Sequence, residues 1–192
     1  MTPAVLAVVA ALGAGVWWLW PTLAGPSHRT EVLVVGNGDL ASAGPMLERR
    51  LREVGFAVVT EPTVADWCSA QGAIPTWVSD LQPGVVVLGI GDLGGCGDDP
   101  LAAVFDGLAH TDVVVVSEPG NAAVRVVAVA QARRLTLVDP VRLLGVGPSS
   151  SQPCQSWDVD CPLGTVEVRD GAARLTAAGA ERLARMIVAE IP

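Results

Sequence analysis

Glu31-Val32-Leu33-Val34-Val35-Gly36-Asn37-Gly38-Asp39-Leu40-Ala41 is the stretch on which the reading of this chain turns. A short apolar run that stops at a Gly-Asn-Gly turn is what a buried parallel strand looks like as it hands the chain to a helix. The turn leaves Asp39 near the helix N-terminus, where the dipole favours a negative charge. Ser42, three residues on, faces the helix start in a capping position.

Reading outward, the same unit repeats. Residues 45–54 are amphipathic, with Leu47, Leu51 and Val54 on one face and Gly55 closing the helix. Strands are expected at 56–60, 84–89, 113–117 and 135–139. Helices are expected at 75–81, at 99–108 with Pro100 in its favoured first-turn position, and at 122–134. A polar loop with prolines, 148–162, precedes a last helix at 176–191. There Leu183, Met186, Ile187 and Ile191 fall at helical spacing, with Glu181, Arg182 and Arg185 on the wet face. Alternating strands and helices imply an α/β fold: a three-layer αβα sandwich on a mostly parallel five-stranded sheet, flavodoxin-like, covering 31–192.

In such sheets ligands bind beyond the carboxyl ends of the strands. Asp39, then Trp67 and Cys68, then Gly91 and Asp92 follow strands one to three. Asp170 and Arg174 precede the last helix, so topology lets all of them share one crevice. For Asp170 and Arg174 the simpler role is an ion pair tying the last helix to its turn; facing the crevice, Arg174 would instead bind a carboxylate or phosphate. Trp67, Trp77 and Trp157 are read as packing residues, with Trp67 and Trp157 also candidates for a crevice wall.

Three segments, 35–41, Gly89-Ile90-Gly91-Asp92 and 170–176, carry a resemblance in order and spacing to the catalytic blocks of SGNH (GDSL-type) hydrolases. In that family the first block supplies a serine that attacks an acyl carbon and whose backbone N–H helps hold the oxyanion. Here Asp39 or Gly38 stands at that place. The third block, Gly-x-Asn-Asp, donates to the oxyanion through its asparagine; here Gly91 replaces it, a loss of about a hundred- to a thousandfold in rate where one donor is removed. The last block, Asp-x-x-His before Leu-Thr, has Asp170 followed by Arg174, and arginine stays protonated near neutral pH. His28 lies beside the amino-terminal segment and His110 at the wrong end of the sheet, so a serine–histidine–aspartate relay is excluded. Residues 62–67 with 83–89, and Cys154…Cys161-Pro162 leading to 166–170, are similar to the SGNH domains attached to membrane acyltransferases. The resemblance implies an SGNH-type domain that has lost hydrolysis and acts by binding. The alternative is a divergent ester hydrolase or O-acyl-transferring module acting on envelope glycans or lipids, with Asp39, Gly91, Asp92, Asp170 and Arg174 as its motif positions.

The amino-terminal residues stand apart. Positions 3–20 carry no charge and end in Trp17, Trp18 and Trp20, a length and composition that suit a transmembrane helix with interfacial tryptophans. Residues 1–24 are therefore read as an anchor and 25–30 as a linker; a cleaved signal peptide, giving a secreted protein, is the competing reading. Arg29 weakly favours a cytoplasmic domain, but Cys68, Cys96, Cys154 and Cys161 form no CxxC pair and suit two disulfides in an extracytoplasmic one. A Cys68–Cys96 bridge is geometrically plausible and Cys154 with Cys161 would close a small loop, with the connectivity left open, while a four-cysteine zinc site lacks the usual close ligand pairs. No cofactor is expected. The 192-residue chain carries a formal charge of -8 with 12 Lys and Arg, all arginine, which argues against nucleic acid. The expected partners are the membrane, through residues 1–24, and an acylated glycan, lipid or envelope protein.

Overall fold

A computed structural model describes residues 30–61, 64–96, 99–159, 161 and 163–192. The expected anchor, most of the linker and His28 fall outside these residues. Among the described residues, no helix is long and apolar enough to cross a membrane.

Five strands, β1 (Glu31–Gly36), β2 (Ala57–Thr60), β3 (Val85–Gly89), β4 (Asp112–Val116) and β5 (Thr136–Val138), form one sheet in the order β2-β1-β3-β4-β5. Every pairing in it is parallel, with Val35 opposite Leu88 and Leu88 opposite Val115. Alternation along each strand feeds two cores. Leu33, Val35, Val86, Leu88 and Val115 pack under Trp67, Ile74, Leu101, Phe105 and Val126. Val32, Val34, Val87, Val114 and Val116 pack under Leu40, Leu47, Leu51, Leu183 and Ile187. One face thus carries α2 (Trp67–Leu81), α3 (Asp99–Gly107) and α4 (Ala123–Ala132), and the other carries α1 (Gly38–Glu53) and α6 (Ala177–Glu190). The α/β sandwich expected from the sequence is present.

Two helices begin earlier than the sequence suggests. Prolines 45 and 75 read as first-turn residues, yet both lie inside helices. α2 starts at Trp67 because Asp66 caps it, accepting the Ser69 N–H at 2.7 Å. Pro45 is exposed on the outer face of α1, so the missing N–H falls on the solvent side. Ser42 does not cap; its hydroxyl donates back to the Gly38 carbonyl at 2.8 Å.

The stretch 148–162 is more than a loop. Ser151–Pro153 (β6) and Thr165–Glu167 (β7) pair antiparallel, after a short helix α5 (Val141–Leu144). Arg182, expected on the wet face, is buried. Its guanidinium pairs with Asp158 and donates to the Pro153 carbonyl at 2.7 Å, fastening this hairpin to α6. The pairing holds the Asp158 carboxyl below the usual carboxylate range. Cys68 bonds to Cys96 and Cys154 to Cys161, with Cα separations of 5.9 and 6.2 Å. No group of three or more potential metal ligands occurs among the described residues.

Candidate functional site

The topological switch lies between β1 and β3, whose last residues, Gly36 and Gly89, are opposite each other. A Cβ on Gly36 would sit 2.3 Å from the Gly89 carbonyl oxygen, so the strand tips meet without side chains between them. Asn37 then stitches the two turns together. Its side chain accepts the Gly91 N–H at 3.2 Å and donates to the Ala65 carbonyl at 2.9 Å.

Asp39 follows in the first turn of α1 and is almost completely buried. Its carboxylate is held by both terminal nitrogens of Arg169, one at 2.9 Å. Arg169 is itself buried and uses its other donors on the carbonyls of Gly145 and Ala173, at 3.0 and 2.9 Å. Bonding to Asp39 holds the guanidinium's pKa above its ordinary value. A third ionisable side chain completes the cluster. Glu118, at the carboxyl tip of β4, accepts the backbone N–H groups of Asp39 at 2.9 Å and Leu40 at 2.6 Å. Burial pushes its carboxyl up to about 8, with the charge of Asp39 adding to the effect. The two helix N–H groups and Arg169 pull the other way.

The segment after β4 also explains Gly91. A Cβ there would lie 2.7 Å from the Pro119 carbonyl oxygen and 3.1 Å from the Glu118 Cβ. An asparagine at this position has no room. Asp92 turns away from the cluster: its carboxylate accepts from Gly94 N–H at 2.9 Å and from the Asn121 amide at 3.0 Å. These two bonds hold its carboxyl below the usual range.

Asp170 and Arg174 form their own ion pair, at 2.8 and 3.0 Å, on the exposed rim. They do not join the cluster. The arginine that faces Asp39 is Arg169, one residue before the motif aspartate. Trp67 belongs to the core, donating its indole N–H to the Ile90 carbonyl at 2.9 Å, and Trp157 lies on the hairpin loop. His110 is exposed in the turn before β4, at the amino end of the strands and away from their carboxyl tips.

Sequence reasoning missed Glu118 and Arg169. Glu118 carried a usable signal, since it follows a strand whose tip opens on the crevice. Arg169 carried none that distinguished it from Arg174, because which of two nearby arginines turns inward depends on the β7 register and on the Gly145 carbonyl waiting for it.

The architecture matches solved structures. An acetyl xylan esterase superposes with a TM-score of 0.60 at 13% identity, covering 84% of this chain and 100% of the esterase. A protein assigned to the G-D-S-L lipolytic family, from Desulfitobacterium hafniense DCB-2, superposes with a TM-score of 0.53 at 12% identity, covering 83% and 98%. This chain has the SGNH hydrolase fold. No protein-family model and no curated protein matches the sequence. At the tip of β1, the N–H groups of Asp39 and Leu40 are occupied from within the chain by Glu118.

Proposed function

We propose that this is a catalytically silent SGNH-fold domain, anchored by residues 1–24 on the extracytoplasmic side of a membrane and acting by binding at the cell envelope. Its ligand would be an acylated glycan, a lipid or an envelope protein. One observation carries the silence: the α1 N–H groups that an acyl oxyanion would need are bonded to the Glu118 carboxyl, while Asp39 is locked to Arg169. A group already saturated with partners contributes nothing to a developing charge. The two disulfides support an oxidising compartment.

The expected outcome is no turnover of p-nitrophenyl acetate or butyrate above a heat-denatured control. Robust hydrolysis abolished by Asp39→Ala would overturn the reading. The divergent esterase or acyl-transferring alternative would draw on Glu118, a buried carboxyl set against the helix N–H groups at the strand tips. Fluorophosphonate labelling that maps to a residue at the strand tips would select that alternative.

A further inference from the structure

The paired helices α1 and α6 carry a charge group that the strand-tip cluster does not explain. Glu181 of α6 accepts from three guanidiniums: Arg49 at 3.2 Å, Arg185 at 2.6 Å, and Arg50. Arg49 and Arg50 also pair with Glu53, and Arg52 pairs with Glu48. Four arginines thus share three glutamates, and one positive charge is left over on a chain whose formal charge is -8. Asp158, beside the same helices, leaves the balance unchanged because Arg182 neutralises it.

A cleft of about 280 Å³ opens beside this group. Its helical walls are Met46, Arg49 and Arg50 from α1 with Ala177, Ala178 and Glu181 from α6. Donor capacity is left over there. The Arg50 Nε is buried without a hydrogen-bond partner, the only buried side-chain nitrogen or oxygen in that condition among the described residues. Arg185 spends its Nε on Glu181, and neither of its terminal amino groups makes a hydrogen bond among the described residues. A buried N–H without an acceptor is destabilising, so an acceptor that reaches it is favoured.

We propose that this cleft binds an organic phosphate, with Arg49, Arg50 and Arg185 on its oxygens and Met46, Ala177 and Ala178 against its organic part. Three guanidiniums converge, and a phosphate monoester offers an oxygen to each, whereas a carboxylate has only two. Glu181 gathers the three arginines beforehand, which lowers the ordering cost of binding. It also repels the phosphate, but the three cations around it outweigh its single charge. Ion pairs this open to water are weak and screened by salt, so the binding is millimolar and salt-sensitive. The cleft shares no residue with Asp39, Glu118 and Arg169, so neither outcome of an esterase assay bears on it.

The arginine Nε–H signals of the full chain in non-ionic detergent micelles, followed by heteronuclear NMR, provide the test. Phenyl phosphate should shift the signals of Arg49, Arg50 and Arg185 to saturation. It should bind about fivefold more tightly than inorganic phosphate at equal ionic strength, because part of its ring is buried. Arg49→Gln with Arg185→Gln, both at exposed positions, should weaken binding about tenfold. Glu181→Gln keeps an oxygen for the arginines and removes the competing charge, so it should tighten binding about three- to tenfold. Arg52→Gln, outside the cleft, should leave the affinity as it is. Shifts that never saturate, equal affinity for inorganic phosphate, or no gain in Glu181→Gln would each overturn the site and leave a solvated network of ion pairs. Doping the micelles with phosphatidic acid separates the sources. Signals that move on doping name a lipid headgroup, and signals that respond only to the soluble ester name a free or glycan-borne phosphate; either result supports the cleft as the place of binding.

Discussion

Replacing Arg169 by methionine tests whether the centre of the site is a structural plug. The substitution keeps most of the side-chain length and removes the contacts to Asp39, Gly145 and Ala173. Asp39, almost fully buried, is left charged beside Glu118 with no cation. Removing one partner of a buried ion pair costs about 3–5 kcal/mol, because the other charge is stranded away from water. Against a total stability of about 5–15 kcal/mol for a domain, the loss is large enough to bring the chain near unfolding. Asp39→Asn with Arg169→Met removes the stranded charge as well and should recover about 2 kcal/mol relative to Arg169→Met alone. The assay is urea unfolding followed by the buried Trp67, with the slope on denaturant checked for constancy across the four proteins. A loss under about 1 kcal/mol for Arg169→Met, or strict additivity in the cycle, would refute the idea that the pair fills the site at the expense of chemistry.

Two further outcomes follow from the same cluster. The folded state keeps the Glu118 proton up to about 8, whereas the unfolded chain releases it near 4.5. Folded protein then binds more protons than unfolded, so stability is highest below the lower value, falls as pH rises between the two, and levels off above the upper one. The whole effect is on the order of 4–5 kcal/mol. Glu118→Gln, which cannot ionise, should flatten that slope in urea midpoints measured from pH 5 to 9, and an unchanged slope would contradict the assignment. Gly91→Asn, which rebuilds the family's third block, should destabilise the domain by about 1–3 kcal/mol through overpacking against Pro119 and should confer no ester hydrolysis. A stable variant with new activity would mean that the segment after β4 yields more easily than its contacts indicate.

The short apolar runs at 31–35, 84–89 and 113–117 were legible because parallel strands covered on both faces must be apolar throughout, and the turn residues between them mark where each one stops. The ends of α1 and α2 were not, since Pro45 and Pro75 give the same local signal whether a helix starts there or passes through. Which residues stand at positions 39, 91 and 174 is read directly from the sequence. Their partners in space were not legible: Glu118 is 78 and 79 positions from the N–H groups that it accepts, and Arg169 is 130 positions from Asp39.

By itself the sequence determined the layering and the strand periods, which depend on local pattern, and left the cysteine pairing as a plausible choice that the structure settled. The tertiary structure alone decided that Arg169 rather than Arg174 turns inward, that Arg182 is buried, and that Glu118 takes the N–H groups of Asp39 and Leu40. The physical reason is that a buried charge takes its partner from whatever the packed chain brings within about 3 Å, and no local pattern encodes that neighbour.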